Sequence, residues 1–222
     1  MVRTVPCGIG ETFGIGSGTG IGRQGRAEVH RRPIRQWSPV DAFLVSAAVV
    51  ALAEFGDKTQ LLSLLLAARF RRPLPIMCGI LLATLANHAA AGSVGVLFGS
   101  LIDGTWLRWV LGVSFLAVAV WALIPDRIDE RDASLRSGAF LTTLVAFFLA
   151  EIGDKTQIAT IGLAARFDQL GPVVLGTTLG MMLANVPAVL LGDRMAGRLP
   201  VGAIRIVAAL VFAALGLMTL LA

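Results

Sequence analysis

Two short runs hold most of the residues able to do chemistry within the apolar part of this chain: Glu54-Phe55-Gly56-Asp57-Lys58-Thr59-Gln60 and Glu151-Ile152-Gly153-Asp154-Lys155-Thr156-Gln157. Together they supply four carboxylates and two ammonium groups, a net charge of −2 that one divalent cation or two protons would neutralise. On a continuous helix, residues i and i+3 share a face, so Glu54 and Asp57 are expected to project together, as are Glu151 and Asp154. Thr59, Gln60, Thr156 and Gln157 add neutral oxygens within a turn. Thr59 and Thr156 point away unless the helix bends, which Gly56 and Gly153 would permit. Neither run contains Cys, His or Met, and an all-oxygen donor set suits Mg²⁺, Ca²⁺ or Mn²⁺. Clustered carboxylates also compete for protons. A site that holds either a cation or protons, exposed alternately to two sides, would exchange one for the other.

The two runs belong to a longer repeat. Leu66-Ala67-Ala68-Arg69-Phe70 returns as Leu163-Ala164-Ala165-Arg166-Phe167, and 11 of 17 positions are identical between 54–70 and 151–167 at a constant offset of 97.

The elements that must position these groups read as membrane spans. The chain has 222 residues, 56% hydrophobic and 15% charged, with a mean hydropathy of +0.80, a balance found in polytopic membrane proteins. A bilayer core of about 30 Å needs about 20 apolar residues in a helix. Six stretches qualify: 41–68, 76–101, 106–124, 138–165, 172–192 and 201–222. Pro73 and Pro75, Asp103-Gly104, Gly171-Pro172 and Leu199-Pro200 mark the turns between them. The hydrophilic linker 125–137, with Asp126, Arg127, Asp129, Glu130, Arg131, Asp132 and Arg136, divides the chain into repeats 41–124 and 138–222. Three spans per repeat is an odd number, so the second starts from the opposite side. The expected fold is therefore all-α, six transmembrane helices in two inverted three-helix repeats, with both acidic runs near the midplane.

Arginines are concentrated in the first, third and fifth turns, which by the positive-inside rule puts the central linker in the cytoplasm and both termini outside. The six arginines of the N-terminal tail argue the other way, and the distributed turns are given more weight. Residues 1–37 form a Gly/Arg-rich tail expected to be disordered. Its alternating glycines lack the strand, helix and Gly-Lys-Ser/Thr of a phosphate loop. Nothing in it supports nucleic-acid binding. An initiator at Val40 would account for the abrupt onset of membrane sequence, which the N-terminal mass of the native protein would decide. Cys7 and Cys78 lie in unlike surroundings, so no disulfide framework or thiolate site is expected.

The pattern Glu-x-Gly-Asp-Lys/Arg-Ser/Thr, present twice in six spans, resembles the Golgi-type calcium/manganese transporters and bacterial manganese exporters over residues 41–222. The resemblance implies that Glu54, Asp57, Glu151 and Asp154 carry the cation and that Lys58 or Lys155 neutralises them. It further implies exchange of Mn²⁺ or Ca²⁺ for protons, with Mn²⁺ preferred for a protein of a bacterial inner membrane. The expected partners are the metal ion and the lipid bilayer, with no bound cofactor and no enzymatic activity; oligomeric state is left open.

Other readings compete. Glu54 and Lys58, at i and i+4, would suit a purely structural ion pair within one helix. Gly56-Asp57 and Gly153-Asp154 superficially match the paired Gly-Asp of intramembrane aspartyl hydrolases, although the lysine after each aspartate does not fit a shared-proton dyad. A third class is a non-transporting membrane subunit. Asn87, His88 and Asn185 are lesser candidates for the path, with interhelical hydrogen bonding the blander role. Cys78 and Met181-Met182 read as packing.

Overall fold

A computed structural model describes residues 37–124, 138–191 and 201–221; the tail before Trp37, the charged linker and the fifth turn lie outside the described residues. Within these bounds there are eight helices and no strand: α1 (Pro39–Glu54), α2 (Lys58–Phe70), α3 (Pro73–Leu101), α4 (Gly104–Ala122), α5 (Ala139–Glu151), α6 (Lys155–Phe167), α7 (Leu170–Leu191) and α8 (Val201–Leu221). The all-α expectation holds.

Local sequence sets the boundaries. Ser38 opens α1 with a reciprocal cap, its hydroxyl accepting from the Asp41 amide at 3.1 Å while the Asp41 carboxylate accepts from the Ser38 amide at 3.2 Å, and Pro39 fills the first turn. Helices α2 and α6 close on the left-handed residues Arg71 (φ 51°) and Asp168 (φ 53°), which are 97 apart. Pro73 then starts α3, where a missing amide costs nothing.

Four helices, α3, α4, α7 and α8, are each long and apolar enough to cross a membrane; α1 and α2 add a fifth if taken as one span bent by 70°. The expected spans 41–68 and 138–165 are thus not continuous rods. Each divides within its acidic run. The 13 residues of α5 reach only about 20 Å at 1.5 Å per residue.

The distribution of polarity is the reverse of a soluble protein's. Leu44, Leu97, Trp106, Val113, Leu179 and Leu210 face outward, while Ser46, Thr84, His88, Thr142, Thr143, Thr177 and Asn185 are fully buried. Hydrocarbon offers no hydrogen bonds, so polar side chains turn inward and apolar ones contact lipid.

Packing follows the repeat crosswise. α1 runs along α7 and α5 along α3, α6 lies on α3 and α2 on α7, and α4 packs on α8. Close approach at the first two contacts depends on repeat-mate glycines. A methyl at Gly176 would sit 2.4 Å from the Phe43 carbonyl, and one at Gly79 would sit 2.9 Å from the Phe140 carbonyl. Phe43 and Phe140 are themselves 97 apart. Trp37, placed with the tail in the sequence reading, instead packs edge-on against Phe167 at 5.5 Å, and its carbonyl accepts from Gln169 Nε2 at 2.8 Å.

Candidate cation site

The acidic runs are helix breaks, which corrects the expectation that Glu54 and Asp57 share one helical face. Glu54 is the last residue of α1 and Asp57 caps α2; Glu151 ends α5 and Asp154 caps α6. The cause is local. Gly56 and Gly153 adopt φ of 77° and 76°, a left-handed conformation that a side chain disfavours by roughly 1 kcal/mol or more and that no helix can pass through. The chain turns tightly, with the Asp57 amide donating to the Glu54 carbonyl at 3.0 Å and the Asp154 amide to the Glu151 carbonyl at 3.1 Å.

Gln60 and Gln157 brace these breaks. Gly56 N–H donates to Gln60 Oε1 and Gly153 N–H to Gln157 Oε1, both at 2.8 Å. Gln60 also donates from Nε2 to the Ala184 carbonyl of α7 at 3.0 Å. The amide oxygens expected near the carboxylates are therefore spent on backbone.

The threonines are turned inward by the bend. Thr59 donates to Glu54 Oε2 across the break, and Thr156 Oγ1 lies 3.3 Å from Asp154 Oδ2. The lysines cross between the two runs. Lys155 pairs with Asp57, and Lys58 Nζ stands 3.0 Å from Asp154 Oδ1. The intrahelical Glu54–Lys58 pair of the structural reading is not the arrangement adopted.

Glu54, Asp57 and Asp154 each present a carboxylate oxygen within 4.8 Å of the others, and all three residues are buried. Such spacing lets one ion touch all three, since oxygen ligands stand about 2.0 to 2.6 Å from Mg²⁺ or Ca²⁺. The fourth carboxylate, Glu151, is equally buried and lies beside His88 of α3, Oε2 to Nε2, at 3.6 Å. Both α2 and α6 begin at this cluster, so their amide-rich N-termini offset its negative charge.

One neighbour of the acidic runs was not legible in the sequence, and another only in part. Arg205 of α8 donates from Nη2 to the Gly56 carbonyl at 3.0 Å, securing the first break from outside its own repeat half. His88 was named there only as a lesser candidate, with nothing to place it against Glu151. The one usable signal for both is the offset: Arg205 mates with Arg108, and His88 with Asn185.

The chain matches the family described as divalent cation/proton antiporter GDT1 over residues 42–130 and 139–222. A Vibrio cholerae protein named "Putative manganese exporter" is 54% identical over 176 residues, covering 79% of this chain and 88% of that relative. GDT1-like protein 5 of Arabidopsis thaliana is 29% identical over 223 residues, covering 83% of this chain and 97% of the relative. No solved structure matches. The family match spans both acidic runs and nearly every helix that carries them, so the chain belongs to the GDT1 family of divalent cation/proton antiporters.

Proposed function

We propose that this protein is a secondary active transporter that exchanges Mn²⁺, or alternatively Ca²⁺, for protons. In this reading Glu54, Asp57, Glu151 and Asp154 carry the cation, and Lys58, Lys155, Thr59 and Thr156 balance and orient them. The supporting observation is the convergence of carboxylates from both runs, Glu54 and Asp57 with Asp154, within 4.8 Å at a point where two helices are interrupted. Membrane transporters commonly build ion sites from such half-helices, where free backbone ends and side chains meet away from lipid.

The same reading takes the chain as six spans in two inverted repeats, 41–124 and 138–222, joined by the linker 125–137, with α1–α2 and α5–α6 each a broken span. Reciprocal contacts support a two-fold relation: Lys58 meets Asp154 as Lys155 meets Asp57, and Gly176 meets Phe43 as Gly79 meets Phe140. A cytoplasmic central linker and residence in a bacterial inner membrane complete the proposal.

The hydrolase reading is disfavoured because Asp57 and Asp154 each pair with a lysine of the other run, unlike a dyad of two carboxylates paired with one another. The test is a proteoliposome experiment reading Mn²⁺ uptake and internal pH together. Wild type is expected to move protons against Mn²⁺, while Glu54→Gln and Asp154→Asn insert in the membrane and lose at least about 99% of the flux, a barrier rise of roughly 2.7 kcal/mol. Mn²⁺ flux without proton counterflow, or full flux in either variant, overturns the reading.

A further inference from the structure

His88 is fully buried on α3, and neither Nδ1 nor Nε2 has a hydrogen-bond partner among the described residues. The same holds for both carboxylate oxygens of Glu151, 3.6 Å from it at the nearest. Buried polar groups in native interiors are nearly always satisfied, so a pair of adjacent unsatisfied groups points to a partner beyond the described residues, such as a bound ion. The repeat-mate of His88 shows what a structural residue at this position looks like. Asn185 accepts from Ser63 Oγ at 2.7 Å and donates to the Met181 carbonyl at 3.1 Å. His88 makes no such bond among the described residues.

The pair borders the carboxylate cluster. Glu151 lies within electrostatic reach of Glu54 and Asp154, and a separation of 3.6 Å lets an imidazole nitrogen and a carboxylate oxygen both reach one ion at ligand lengths of about 2.0 to 2.2 Å. A nitrogen donor is not neutral among divalent ions. Ca²⁺ and Mg²⁺ are bound by oxygen; Mn²⁺ shares their liking for carboxylates but, as a first-row transition ion, also accepts an imidazole nitrogen.

We propose that His88 and Glu151 form a nitrogen-bearing lobe of the cation site and that His88 sets its preference for Mn²⁺ over Ca²⁺ and Mg²⁺. This rests on the transport reading above and adds a specificity determinant outside both acidic runs. It also gives the near-symmetric halves different tasks: the α7 side, with Asn185, is structural, and the α3 side discriminates.

The experiment uses the full chain in nanodiscs with Mn²⁺ alone as the probe. Pulsed electron paramagnetic resonance of bound Mn²⁺ is expected to show nitrogen coupling, lost in His88→Asn while Mn²⁺ still binds. The chain has two histidines, so this variant identifies the source. In proteoliposomes, His88→Asn should weaken Mn²⁺ about tenfold while Ca²⁺ stays within about twofold. His88→Gln serves if the Asn variant does not fold, and the wild-type spectrum decides independently of either. Bound Mn²⁺ without nitrogen coupling, unchanged Mn²⁺ affinity, or equal weakening of both ions overturns the proposal while leaving transport intact. Absence of any cation flux in wild type would instead remove the transport reading itself.

Discussion

At the first acidic run Glu54 receives the Thr59 hydroxyl, Gly56 is buried, and its carbonyl is held by Arg205. At the second, Glu151 faces His88 with neither oxygen hydrogen-bonded among the described residues, and Gly153 is exposed. The lysines differ in the same sense. Lys155, which reaches back to Asp57, has a side chain 3% exposed, while that of Lys58, which reaches forward to Asp154, is 28% exposed. Backbone angles, turn hydrogen bonds and glutamine braces are almost superposable by number. The difference therefore comes from the surroundings: α8 offers an arginine to one break, and α3 offers an imidazole to the other. Near-identical local sequence produces one local fold, and non-identical neighbours give it two environments.

Five substitutions sharpen or break that contrast. The largest effect is expected from the lysines. Lys155→Ala leaves Asp57 buried without its cation, and breaking a buried pair on one side costs about 3 to 5 kcal/mol. Lys58→Ala removes a partly solvated group and should cost clearly less. Thermal unfolding in detergent compares the two, and equal losses would mean that the burial difference has no energetic meaning.

Next come the arginines. Arg205→Gln removes a charged donor from the Gly56 carbonyl, about 1.5 to 3 kcal/mol, and should slow Mn²⁺ flux. Arg108→Gln, at the repeat-mate position where Nε has no partner among the described residues, should change flux less. A larger effect at Arg108 would reverse the comparison. The smallest effect is expected at the exposed break. A methyl at Gly153 meets nothing within 4 Å, so Gly153→Ala should cost only the left-handed conformation, about 1 to 2 kcal/mol. A Tm unchanged from wild type would show that this break is not held in the left-handed region.

Much of this molecule is written in local sequence. The apolar runs called for a membrane, the offset of 97 announced a repeat, and four acids in two matched runs marked the candidate site. Even the possibility of a bend was visible in Gly56 and Gly153. Tertiary structure decided the rest. A helix periodicity cannot show that a glycine has left the helix, so the cap positions of Asp57 and Asp154 and the diversion of Gln60 and Gln157 to backbone appeared only in the fold. Sequence spacing describes neighbours along one element, whereas Lys155–Asp57, Arg205–Gly56 and His88–Glu151 join groups about 60 to 150 positions apart. Such pairs exist only because α5 packs on α3 and both α6 and α8 pack on α1, and burial, which makes each unsatisfied polar atom costly, is a property of that packing and not of the chain alone.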